Sequence, residues 1–80
     1  MSATEDKLRA AFREALGLAT TTDVEPLTYR GIPQWDSVAH MQLVAAIETA
    51  FDIMLDTDDV LAMSSYAKAR EIVGKYGVAP

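Results

Sequence analysis

Apolar side chains recur every three or four residues in separate stretches of the chain, and no stretch alternates apolar and polar residues long enough to suggest a strand. In the first stretch Leu8, Phe12 and Leu16 follow at intervals of four, with Ala11 and Ala15 beside them. That spacing lines one face of an α-helix. Ser2-Ala3-Thr4-Glu5 has the spacing of a capping box, whose hydroxyl and carboxylate satisfy backbone N–H groups at a helix start. The pattern predicts a helix over residues 4–16, stopped by Gly17, because glycine accepts the left-handed conformation common just past helix ends.

A second helix is predicted from Ser37 to Phe51, with Met41, Leu43, Val44, Ile47 and Phe51 as its apolar face and Val38, Gln42, Ala45 and Thr49 opposite. Met41, Met54 and Met63 are expected in or near the core, where flexible thioethers fill irregular gaps. Asp56-Thr57-Asp58-Asp59 precedes Val60-Leu61-Ala62-Met63; a carboxylate there can cap free N–H groups, so a short third helix is expected. Ser64 or Ser65 then caps a last helix carrying Tyr66, Ala69, Ile72, Val73 and Tyr76, with Lys75 in its final turn and Gly77 as its stop. Between the first two helices, residues 18–36 hold a Thr20-Thr21-Thr22 run, Pro26, Gly31 and Pro33. So long a connection needs packing or function of its own, and Leu27, Ile32 and Trp35 are the side chains to pin it. The expectation is one all-α domain over residues 1–80: a bundle of three longer helices and one short one.

Composition narrows the function. Eighty residues leave a marginal core and little room for a deep catalytic cavity. A net charge of −5 opposes binding to nucleic-acid phosphates or anionic membranes, and basic protein surfaces fit it better. The chain has no cysteine, hence no disulfide, no thiolate zinc site and no thiol of its own. The amphipathic, charged N-terminal segment is not a secretion signal, and no apolar run is long enough to span a bilayer. A cytoplasmic, freestanding monomer without nucleic-acid or membrane partners is the expectation, with Met1 and the compact length favouring independence.

The candidate chemistry lies at the start of the second helix, in Trp35-Asp36-Ser37-Val38-Ala39-His40. Locally, Asp36-Ser37 reads as an ordinary helix cap, since both residue types are common there. His40 lies one turn beyond Ser37, but no Gly-x-Ser-x-Gly elbow surrounds the serine and no evident third group orients the imidazole, so a nucleophilic pair is rejected. His40 is expected to be mainly a surface polar residue, and Trp35 an apolar anchor for the loop. The acidic run at 56–59 fails as a calcium loop, with Leu61 where its glycine belongs and Ala67 where its glutamate belongs.

From Trp35 through Phe51, and onward without a gap to about Tyr76, the chain resembles the acyl carrier protein family, whose attachment motif is Asp-Ser-Leu. Asp36-Ser37-Val38 keeps the first two positions and replaces leucine by another apolar residue; the first helix and long loop suit the same architecture. The resemblance implies a four-helix bundle of acyl-carrier type with no catalytic or metal-binding residue of its own. It implies 4′-phosphopantetheine on Ser37, attached by a separate Mg²⁺-dependent phosphopantetheinyl transferase to which Asp36 presents a carboxylate. The arm's thiol then carries acyl or amino-acyl groups as thioesters between a loading enzyme and a downstream transferase or synthase. A phosphodiester at Ser37 would meet the unpaired N–H groups and positive dipole end of the helix, which favour an anion. The family's partner-facing positions correspond to Val38, Met41, Gln42, Ala45, Glu48, Asp56 and Asp59. Fatty-acid carriers stud this helix with carboxylates, whereas here Glu48 stands alone inside it. Docking should therefore rest more on apolar contact, favouring a specialised polyketide, amino-acyl or other secondary-metabolite pathway such as antibiotic synthesis. A housekeeping fatty-acid carrier and a non-carrier helical interaction module are the competing readings.

Overall fold

The chain forms four helices, α1 (Ala3–Leu16), α2 (Ser37–Phe51), α3 (Thr57–Ala62) and α4 (Tyr66–Lys75), in a computed structural model that describes residues 3–77. The predicted helices are all present, and the boundaries of α2 fall where its apolar pattern begins and ends. Among the described residues there is no strand, only a single antiparallel bridge between Thr28 and Ser65. Ser2 of the expected capping box lies outside the described residues.

Most helix ends have a local cause. At the end of α1, Gly17 adopts φ 66°. Its N–H reaches Glu14 O while Leu18 N–H reaches Arg13 O at 2.8 Å, so the last carbonyls are satisfied by the chain turning back on itself. The Asp36 carboxylate begins α2 by accepting from Ala39 N–H at 2.9 Å. Asp52 ends it with φ 53°, a left-handed conformation that aspartate tolerates better than most residues. Asp56 and Ser65 cap α3 and α4 in the same manner as Asp36 caps α2. Short polar side chains thus fix where all of the last three helices begin.

One core joins the elements. Leu8, Phe12 and Leu16 of α1 meet Leu43 and Ile47 of α2 and Tyr66, Ala69, Ile72 and Val73 of α4, with Met63 below the end of α3. The long loop contributes Val24 and Trp35, both completely buried. Leu27 and Ile32 pack against the cluster as expected; Val24 is an additional anchor, isolated among polar residues in the sequence. Burying a tryptophan-sized surface contributes on the order of 5 kcal/mol before loop ordering is charged against it. That contribution favours the packed loop although it has almost no secondary structure.

Two methionines depart from the expected core. Met41 is 58% exposed and Met54 is 84% exposed, while Met63 is buried as expected. The buried arc of α2 centres on Leu43 and Ile47. At about 100° per residue, Met41 lies roughly 140° from that centre, on the side of Val38 and Ala45. Its spacing to Val44 satisfied a helical pattern without placing it inside.

The loop is stitched to the junction between α3 and α4. Tyr29 N–H donates to Ser64 O at 2.8 Å and Tyr66 N–H to Leu27 O at 3.2 Å, on either side of the Thr28–Ser65 bridge. Arg30 N–H then reaches Trp35 O at 3.0 Å, closing a compact turn before α2. Gly31 sits inside that turn, where an added Cβ would collide with the Thr28 side chain. These bonds carry Tyr29 to the mouth of α2.

Candidate functional site

Ser37 is the first residue of α2 and is exposed. Asp36 is committed to capping: one carboxylate oxygen holds Ala39 N–H, and its carbonyl accepts the first helical bond from His40 N–H at 2.8 Å. The N–H groups of Ser37 and Val38, earlier in the turn, have no intrahelical acceptor. The serine hydroxyl therefore stands where a helix favours negative charge.

Beneath the serine lies an aromatic support. The Trp35 ring is wholly buried, edge-on to Phe12 at 5.3 Å between centroids and to Tyr29 at 6.2 Å. Its indole N–H donates to His40 Nδ1 at 3.0 Å. An indole nitrogen can only donate, so Nδ1 accepts and the imidazole proton sits on Nε2, which donates to Val60 O at 2.9 Å. His40 is thus a half-buried wedge joining the loop, α2 and α3, correcting the expectation of a surface polar residue. Its two bonds link Trp35, five residues before it, with Val60, twenty residues after it.

Tyr29 is the residue that sequence reasoning missed. Its ring packs edge-on against His40 at 5.2 Å, and its hydroxyl lies 3.1 Å from Ser37 Oγ. The Arg30 guanidinium lies over the same ring, 5.9 Å from its centroid. Tyr29 and His40 also wall a hollow of about 140 Å³ completed by Val60, Leu61, Met63 and Ser64. Another groove, about 490 Å³, runs between α1 and α2 among Lys7, Ala11, Glu14, Ala46, Thr49 and Ala50, and Ser37 does not border it.

The other anticipated surface positions divide. Val38 is 68% exposed; Met41, Gln42 and Ala45 are exposed as well. Leu61, 77% exposed on α3, extends the apolar surface near the hollow although the sequence pattern did not single it out. Glu48 is half-buried and accepts Leu55 N–H at 2.9 Å, so it shapes the turn leaving α2. Asp56 remains exposed while its carboxylate caps α3.

Asp59 is corrected outright as a surface position: its side chain is turned inward, 5% exposed, and paired with Lys75. Tyr76 also donates to it, while the Tyr76 oxygen accepts Asp56 N–H at 3.1 Å. Lys75 first, then Tyr76, holds the Asp59 carboxyl below the ordinary aspartate range. The same contact raises the Lys75 ammonium and the Tyr76 phenol above their ordinary values. This cluster ties the start of α3 to the end of α4.

No family model, curated protein or solved structure matches the chain. Among the described residues, no helix is long and apolar enough to cross a membrane.

Proposed function

We propose that the chain is a carrier of acyl-carrier type, holding 4′-phosphopantetheine on Ser37 and passing thioester-bound acyl or amino-acyl intermediates between enzymes of a specialised pathway. The observation that carries this reading is the exposed Ser37 hydroxyl on the first turn of α2, directly after a capping aspartate and two residues after a buried tryptophan.

The surroundings suit the group. A phosphodiester on Ser37 would be met by the free N–H groups of the first turn and by the Tyr29 hydroxyl. Asp36 keeps one carboxylate oxygen on Ala39 N–H, which limits its opposition to a second anion. When bound, the arm supplies the thiol that the cysteine-free chain lacks and on which acyl groups are carried. The chain's own contribution is to anchor the arm and present it, raising the local concentration of cargo at each enzyme visited.

Modification would proceed in the active site of a separate Mg²⁺-dependent transferase. The Ser37 oxygen attacks the coenzyme A diphosphate at the phosphorus nearer pantetheine. An O–P bond forms, the bond to the bridging oxygen breaks, adenosine bisphosphate leaves with that oxygen, and the hydroxyl proton passes to a base on the transferase. Val38, Met41, Gln42, Ala45 and Leu61 supply the surface on which partner enzymes dock. With Glu48 tied to Leu55 and Asp59 turned inward, that docking depends on apolar contact more than on charge. This composition favours a specialised pathway over general fatty-acid synthesis.

The test is intact-mass analysis after incubation with coenzyme A, Mg²⁺ and a broad-specificity transferase. Wild-type protein is expected to gain one phosphopantetheinyl increment and Ser37→Ala none. A well-folded wild type left unmodified supports a helical interaction module in place of a carrier.

A further inference from the structure

Tyr29 is placed by contacts that are independent of the Asp36-Ser37 motif. Its backbone N–H is fixed to Ser64 O across the Thr28–Ser65 bridge, and its ring is held against Trp35 and His40. Each constraint comes from a different part of the fold: the α3–α4 junction, the buried loop anchor and the body of α2. Together they bring one phenolic hydroxyl to 3.1 Å from Ser37 Oγ. A serine side chain otherwise turns among three staggered positions at little cost. The bond favours the position that points Oγ toward Tyr29 and the hollow behind it.

We infer that Tyr29 is a positioning residue for Ser37: its hydroxyl orients the Ser37 oxygen before modification and donates to a phosphodiester oxygen at the root of the arm afterwards. The inference rests on the carrier reading. Before modification either oxygen of the pair can donate. When Tyr29 accepts, the serine hydroxyl is directed; when it donates, a serine lone pair is held. Once Ser37 is esterified it has no proton left to give, so Tyr29 becomes the donor and the phosphate oxygens, as charged acceptors, are its stronger partners. The phenol would then hold the root of the arm through that one hydrogen bond.

The discriminating variant is Tyr29→Phe, which retains the ring contacts and deletes the hydroxyl. Its folding is checked by circular dichroism, and its modification is followed with coenzyme A, Mg²⁺ and the transferase. The expected result is a kcat lower by about two- to tenfold with KM little changed, the range corresponding to one hydrogen bond. Phosphorus NMR of the modified proteins gives a second readout that altered folding rates do not move. The wild-type resonance should be displaced from its position in urea-unfolded protein, and the Tyr29→Phe resonance should lie closer to that unfolded position. An equal kcat overturns the orienting role, and superposed phosphorus resonances of the two folded proteins overturn the contact to the phosphodiester. A wild type that accepts no group overturns the carrier reading and this inference with it.

Discussion

At the scale of single residues, His40 ties the start of α2 both to the loop before it and to α3. The imidazole accepts from a buried indole and donates to a carbonyl of α3, so both of its nitrogens are engaged. His40→Ala should leave the Trp35 N–H without its partner and lower unfolding stability by about 2 kcal/mol, readable in urea titrations followed by tryptophan fluorescence. Loss of less than about 0.5 kcal/mol would show that the wedge is decorative. The sequence could not reveal this role, because a histidine one turn into a helix is compatible with either face. What settles it is Val60, brought near by the fold. Tyr29 was hidden for a related reason: it lies in an aperiodic loop, and its approach to Ser37 depends on the bridge from Thr28 to Ser65.

At the scale of elements, the chain was far more legible. Local rules act within a few residues, and Gly17, Asp36, Asp56, Ser65 and Gly77 state the ends of helices almost without reference to the rest of the fold. Asp36 caps α2, and a pair of substitutions separates that role from the transferase recognition proposed for it. Asp36→Asn keeps a capping oxygen and should leave stability nearly unchanged, whereas Asp36→Ala should cost about 1 kcal/mol in urea unfolding. If the transferase reads the carboxylate, both variants should be modified more slowly at saturating coenzyme A. Slow modification by Asp36→Ala alone would assign the effect to the helix start. Periodicity was weaker at resolving which apolar residues face inward: Met41 matched the local pattern yet remains exposed, because the position of the core around α2 is set by α1 and Trp35.

At the scale of the whole molecule, a few charged contacts close a fold whose sequence left their pairing unread. Glu5 of α1 meets Arg70 of α4 at 2.8 Å, and Asp59 of α3 meets Lys75 and Tyr76 beyond it. Arg70 holds the Glu5 carboxyl below its ordinary value, as Lys75 does that of Asp59. Depressed carboxyl values contribute stability that is complete above the unfolded-state range near pH ~4 and is lost as pH falls through the lower folded-state values. The raised values of Lys75 and Tyr76 act in the opposite limb, their contribution fading as pH rises through the raised folded-state values. Melting temperatures measured from about pH 7 down to about pH 3 should therefore fall less steeply for Asp59→Asn than for wild type, from a lower starting point. Parallel acid limbs would remove Asp59 from that account.

In the proposed function these contacts hold together a scaffold that presents one hydroxyl, and the absence of cysteine makes that proposal countable. After transferase treatment and removal of free coenzyme A, thiol titration of denatured protein should find one sulfhydryl per wild-type chain and none in Ser37→Ala. No thiol on wild type that was folded when treated, or one on Ser37→Ala, would contradict the proposed assignment of Ser37 as the anchor.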